Sequence, residues 1–226
     1  MKKKIGMIIA VEFAPFKEAY GEAKKVVKDR GFEVSIYEKE KYILYVTQSG
    51  AGEILAAICT QYLIDTFDVD MILNYGVVGG LSEKLSHALT CVIKDVVDYR
   101  FDISEVDPVE KGRHTQYPSR NIPTNETLRK KALEVSSSLL EVRCASGDKF
   151  VNDPNEKQNI AKEFGADICE MEAAGILLTC NMNKIPSLFI KVIADTLFGG
   201  AGEYLDKSNQ AVKECVKILE HIMDNI

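Results

Sequence analysis

The chain has 226 residues, 46% hydrophobic and 27% charged, with only 15 glycines and 6 prolines, a balance that fits one compact domain over residues 1–226 and excludes collagen-like, coiled-coil and disordered classes. With 28 Lys and Arg against 34 Asp and Glu, the net charge of −6 repels polyanions, so nucleic acid is not an expected partner. The most apolar stretch, residues 5–11, is bounded by Lys4 and Glu12 and falls far short of the ~20 residues that cross a bilayer or form a leader; no membrane partner is expected, and a cytoplasmic location is.

Residues 4–11, short, continuous and rich in Ile and Val, read as a buried strand, and helical spacing follows over residues 13–28 with Pro15 in the first turn. Residues 33–37 and 42–48 form a hairpin around the charged turn 38–41, and Ser49-Gly50-Ala51-Gly52 opens a helix over 53–65. A strand over 70–75 ends in the glycine cluster of residues 76–80, and another strand covers 89–97. The polar segment 98–124, with Pro108, Pro118 and Pro123, is long enough to suggest a functional loop. Helices over 126–138, 154–164 and 172–181 and strands over 141–145 and 186–193 follow. The last helix, residues 208–223, carries an apolar stripe of Val212, Cys215, Val216, Leu219 and Ile222. Alternating strands and helices predict an α/β fold with a largely parallel central sheet.

Six scattered cysteines form no Cys-x-x-Cys pair and have no histidine at a zinc-ligand spacing, so they read as reduced packing residues, and no metal is expected. His87, His114 and His221 lie far apart in polar surroundings and read as surface residues.

In open α/β sheets ligands collect at the C-terminal ends of strands. Those positions hold Glu12, the 49–52 turn, the 76–80 cluster, residues 99–102, residues 146–151 and Asp195. A dinucleotide fingerprint at Gly50 fails because its third glycine falls at Leu55, and no Walker lysine motif occurs, so no cofactor is expected. Glu170-Met171-Glu172 places two carboxylates at the start of an apolar helix. The helix dipole accounts for one of them. Asp195 ends the apolar strand 188–194 and precedes a flexible glycine-rich loop over 198–202; alone it fits a cap or turn role equally well.

Together these segments resemble the purine nucleoside phosphorylase and nucleosidase superfamily, most closely its 5'-methylthioadenosine/S-adenosylhomocysteine nucleosidases. The resemblance runs over nearly the whole chain. Its specific carriers are Ser146-Gly147-Asp148-Lys149-Phe150-Val151 and Glu170-Met171-Glu172-Ala173 in that order, supported by residues 4–12, 49–52, 74–81 and 193–195. It implies an α/β domain whose mixed sheet curls partly into a barrel, a homodimer, a purine nucleoside as small-molecule partner, and a place in methionine salvage.

The resemblance also implies roles. Phe150 stacks on the purine, the Val151 backbone bonds the purine edge, Gly79 lies against the substrate, Met171 packs on the sugar, Glu172 accepts from the ribose hydroxyls, and Asp195 protonates N7. Cleaving an N-glycosidic bond needs a proton on the departing base and stabilisation of a cationic ribose, which is why carboxylates are wanted. A partly buried Asp195 can hold its proton near neutral pH. The water-activating base falls at Ala14 when the first strand is matched strictly, and at Glu12 when the apolar pattern of Phe13 and Phe16 is matched. Glu12 is favoured because no other carboxylate ends this strand. Lys191 stands where the nucleosidases commonly have arginine, and Ala194 where they have serine or threonine. Asn74 and Val77 occupy the places at which related phosphorylases hold phosphate with an arginine and a hydroxyl, so hydrolysis is expected. The alternatives are phosphorolysis and, should Ala14 be the true base position, a nucleoside-binding protein with little turnover.

Overall fold

The computed structural model describes residues 2–225, apart from the side chains of residues 206–211 and 214. The elements in chain order are β1 (Lys3–Ile9), α1 (Phe13–Tyr20), β2 (Lys25–Asp29), β3 (Phe32–Glu38), β4 (Tyr42–Gln48), α2 (Glu53–Phe67), β5 (Met71–Gly80), β6 (Thr90–Asp98) and β7 (Ile122–Pro123). They continue with α3 (Glu126–Val135), β8 (Leu140–Ser146), α4 (Pro154–Phe164), β9 (Ile168–Glu170), α5 (Ala173–Asn183), β10 (Ser187–Asp195) and α6 (Gly200–Met223).

One mixed sheet runs β10-β6-β8-β9-β5-β1-β4-β3-β2, and β10 also pairs with β5. That extra pairing closes β10, β6, β8, β9 and β5 into a five-stranded barrel, leaving β1 to β4 as an open wing. The closure depends on β5 changing partners along its length. Met71 to Tyr75 pair with β1, whereas Gly79 and Gly80 pair with β9. The glycine cluster therefore lies inside a ten-residue strand and not after it, as the sequence suggested.

Alternation along β1 divides the core. Ile5, Met7 and Ile9 join the cluster beneath α1, α3 and α6, while Ile8 joins the one beneath α2 and α5. The stripe of α6 behaves as its spacing implies: Val212, Cys215, Val216, Leu219 and Ile222 are buried, each large aliphatic residue contributing about 1.5–3 kcal/mol. α2 and α5 pack closely at Gly175, where a Cβ would stand 2.3 Å from the Glu53 carbonyl oxygen. That contact brings the start of α2 against the start of α5, and so matters for the site.

Other expectations change in detail. The first helix stops at Tyr20, with the Gly21 N–H bonded to the Lys17 carbonyl at 2.9 Å, and residues 25–29 form the outer strand β2 instead of continuing it. The last helix begins at Gly200, so the segment read as a flexible loop is largely its first turn. The Ala201 N–H there donates to Asn152 Oδ1 at 2.8 Å. All six cysteines are free and buried. His114 is not a surface residue: its Nε2 lies 3.0 Å from Asp98 Oδ2 and its ring stacks on Phe101. No described helix is long and apolar enough to cross a membrane.

Candidate active site

The parallel strands β1, β4, β5 and β10 end on one edge of the sheet, and a pocket opens there. Glu12, Val77, Gly79, Phe150, Val151, Met171, Glu172 and Asp195 all line it. The residues singled out from distant parts of the sequence thus share one cavity. Ala14 lies in the first turn of α1, exposed and off the pocket wall.

Strand register explains how Asp195 reaches the cavity. Asp195 is opposite Gly79 of β5, and Gly79 in turn is opposite Cys169 of β9. The register of β10 shifts between Ile193 and Asp195, an irregularity of the kind that re-aims a side chain at a site. Glycine at position 79 suits this crowding, since a Cβ would stand 3.1 Å from Cys169 Sγ and 3.3 Å from both carboxyl oxygens of Asp195 and would push them aside. Asp195 is only 2% exposed; burial raises its carboxyl pKa, and Lys157, bonded to Oδ2, partly offsets that rise.

The two carboxylates of the Glu-Met-Glu segment take separate tasks. Glu170 turns inward, accepts from the Glu172 and Ala173 N–H groups at 2.9–3.0 Å, and pairs with buried Lys191 at 3.2 Å. It holds the N-terminus of α5, where the exposed amides and the helix dipole favour a negative charge. Glu172 faces the pocket and accepts from the Gly52 N–H at 2.9 Å, a bond available because α2 and α5 meet at Gly175. Burial, reinforced by the neighbouring Glu170 charge, pushes Glu172 up to about 7.

Glu12 follows β1 and is 7% exposed. Its Oε2 accepts from the Val11 N–H at 3.2 Å. Burial raises its pKa, while amide contacts and the charge of Lys191 pull it down. Glu12 Oε2 and Lys191 Nζ both lie 3.6 Å from the point where a Cβ on Gly76 would be, so the carboxylate and the ammonium meet over a bare stretch of β5. Burial opposes the charge on Lys191, but Glu170 and Glu172 outweigh it and raise its pKa.

At the rim, Phe150 is 42% exposed and meets Tyr204 of α6 edge-on at 5.6 Å. Val151 behind it is buried. Asn74 donates to the Ile8 carbonyl at 3.0 Å and serves the sheet, whereas Val77 presents an apolar side chain to the cavity. Sequence inspection missed Tyr204, Cys169 and Lys157. A signal existed for Lys157, which with Ile160 and Phe164 forms an i, i+3, i+7 face of α4 that is buried throughout.

The arrangement can bring a proton donor, a second carboxylate able to accept a proton, and a third carboxylate able to accept hydrogen bonds to one small molecule. Three buried carboxylates, Glu12, Glu170 and Glu172, interact with the one ammonium of Lys191, so this side of the pocket favours developing positive charge.

Residues 4–224 match the family model described as the phosphorylase superfamily. The chain is 31% identical over 192 residues to the 5'-methylthioadenosine/S-adenosylhomocysteine nucleosidase of Treponema pallidum, covering 74% of this chain and 69% of that protein. It is 32% identical over 183 residues to the Staphylococcus epidermidis protein of the same name, covering 77% and 79%. Among solved structures, futalosine hydrolase of Helicobacter pylori superposes with a TM-score of 0.92 at 25% identity, over 99% of this chain and 98% of that one. The barrel with its open wing, the pocket at the strand ends and these matches agree: the chain belongs to the phosphorylase superfamily, close to its 5'-methylthioadenosine/S-adenosylhomocysteine nucleosidases.

Proposed function

We propose that this protein hydrolyses the N-glycosidic bond of a 5'-substituted adenine nucleoside, such as 5'-methylthioadenosine or S-adenosylhomocysteine, and releases the free base. The observation that carries this reading is the charge of the pocket floor. A phosphate nucleophile would meet Glu12 and Glu172, would compete with Glu170 for the Lys191 ammonium, and would find Lys149 and Lys157 already paired with Glu156 and Asp195, while Val77 offers it no donor. Water is neutral and needs only a proton acceptor, which Glu12 supplies.

In this mechanism Phe150 stacks on the purine, with Gly79 and the Val151 backbone along its edge. Protonated Asp195 donates to N7 as the C1'–N9 bond breaks and its electron pair passes into the base. Met171 packs on the sugar, and Glu172, ionised, accepts from the ribose hydroxyls and stabilises the cationic ring. Glu12 takes a proton from water as the water oxygen bonds C1' on the opposite face. Both burial-raised pKa values suit the scheme: Asp195 retains its proton to higher pH, and Glu12 becomes a better base.

The same reading includes a homodimer and a cytoplasmic setting. Ile54, Leu55 and Ile58 expose apolar side chains on α2, and Met182 on the adjoining α5 does likewise, a patch that a second copy would cover. Six unpaired cysteines suit a reducing compartment.

The test is to incubate the purified protein with adenosine, 5'-methylthioadenosine, S-adenosylhomocysteine and futalosine, and to identify the released base and sugar. Free adenine from the thio-substituted nucleosides supports the reading; no base release from any of the four contradicts it.

A further inference from the structure

The most unusual group outside the residues already assigned is Lys157. It sits on the buried face of α4 between Ile160 and Phe164, where an apolar residue would pack, and it is fully buried. A buried ammonium is retained only when acceptors replace its water. Two do so: Asp195 Oδ2, and the Thr196 carbonyl oxygen at 2.7 Å. The lysine therefore holds the end of β10 and one oxygen of the carboxyl that faces the pocket.

We propose that Lys157 is the positioning residue of Asp195: it fixes Oδ2, leaves Oδ1 to present the proton to the departing base, and neutralises the carboxylate that remains when the proton has gone. The proposal rests on the nucleosidase reading for its kinetic consequences and on the geometry alone for the pairing. The step balances without a further reactant. The proton moves from Asp195 to N7, the C1'–N9 electron pair goes to the purine, and the new negative charge on Asp195 lies against the Lys157 ammonium. Without that charge the buried carboxyl would hold its proton more tightly and donate it less readily.

Other groups facing Asp195 do not take this part. Cys169 on β9 and Tyr204 on α6 are both pushed up to about 12, largely by burial, and remain neutral near pH 7. Glu203 on α6 accepts from the Thr196 N–H and hydroxyl at 2.8 Å, and its negative charge raises Asp195 further. Glu156, next to Lys157 on α4, is held by Lys149 at 2.7 Å. Lys157 alone supplies positive charge to Asp195 among these neighbours.

The test uses Lys157→Met and Lys157→Gln, with two readouts. In the substrate-free protein, the 13Cγ resonance of Asp195, assigned through Asp195→Asn, is titrated; its midpoint should rise by about one pH unit or more in both variants. On a purine nucleoside, kcat should fall roughly 10- to 100-fold with KM within about threefold, and the alkaline limb of kcat should move to higher pH, because the proton is held longer. An unchanged midpoint, or a loss carried by KM with an unmoved alkaline limb, would reduce Lys157 to a tie between α4 and β10 and overturn the proposal. If the native protein turns over no nucleoside, the nucleosidase reading fails and the carbon titration still decides the pairing. Should both single variants fail to fold, Lys157→Met with Asp195→Asn removes both charges and should fold; its failure would also overturn the proposal.

Discussion

Glu12→Gln separates the two candidate positions of the base. The amide is nearly isosteric, and its oxygen can still accept the Val11 N–H bond now made by Oε2 at 3.2 Å, so the pocket keeps its shape. What is lost is the ability to take a proton from water. A positioned general base contributes about 10²- to 10⁴-fold, or roughly 3–5 kcal/mol of barrier at 1.36 kcal/mol per tenfold. The loss should appear in kcat, with KM within about threefold. Stability should move the other way. Burial raises the folded-state pKa of Glu12 above 4.5, so the folded state binds its proton more tightly, and stability falls as pH rises from that value through the folded pKa. At neutral pH the glutamine is spared this cost, and the variant should melt no lower than the native protein. Ala14→Glu, on the exposed first turn of α1, should change neither quantity. Stopped assays of adenine release and thermal melts of the three proteins settle it. An active Glu12→Gln together with an accelerated Ala14→Glu would refute the reasoning and place the base at position 14.

Asp195→Asn should abolish adenine release while leaving nucleoside affinity within about tenfold by calorimetry, because the amide can hydrogen-bond N7 but cannot deliver a full proton; most of the turnover surviving would mean the acid is another group. Since Glu172 is pushed up to about 7 and must be ionised to accept from both ribose hydroxyls, kcat/KM should decline below about pH 7, and Glu172→Gln should remove its part of that limb and leave the part set by Glu12. The native protein should also be poor on 2'-deoxynucleosides; equal rates on ribo and 2'-deoxy substrates would sink the role. Lys191→Met leaves buried Glu170 with neutral partners, the Glu172 and Ala173 amides and the Cys144 thiol, and no countercharge, at a cost of about 3–5 kcal/mol. For a chain of this size that corresponds to a melting temperature lower by on the order of 10 °C, and a drop under about 2 °C would contradict the pairing.

What the sequence made legible, and what it hid, follows from the range of the interactions involved. Strands such as β1 and β4, and helix α4 with its Asp153 cap and Pro154 start, carry their period and punctuation locally. The Glu-Met-Glu segment was visible because two carboxylates beside an apolar run are locally odd, and Ser-Gly-Asp-x-Phe because it follows a strand and matches the family the chain resembles. β2 was hidden because Tyr20, Ala23 and Val27 continue a helical spacing past Gly21, and only pairing with β3 selects a strand. β9 has three residues, and its partners β5 and β8 lie about 90 and 25 positions upstream, so it leaves no periodic trace. The glycine cluster looked like a turn because glycine favours turns; the barrel uses it to let β5 exchange β1 for β9 and to let Asp195 approach Gly79. Nor could spacing separate Glu170 from Glu172, since their roles depend on Lys191 and Gly52, residues that only the fold brings near.

The central claim is that water, and not phosphate, attacks the sugar. Purified protein would be given 5'-methylthioadenosine in phosphate-free buffer and in buffer with phosphate at millimolar concentration, and the sugar product identified by mass spectrometry. Adenine should appear at the same rate in both, with free 5-methylthioribose as the sugar. A rate that rises with phosphate, with the sugar recovered chiefly as its 1-phosphate, would contradict the account.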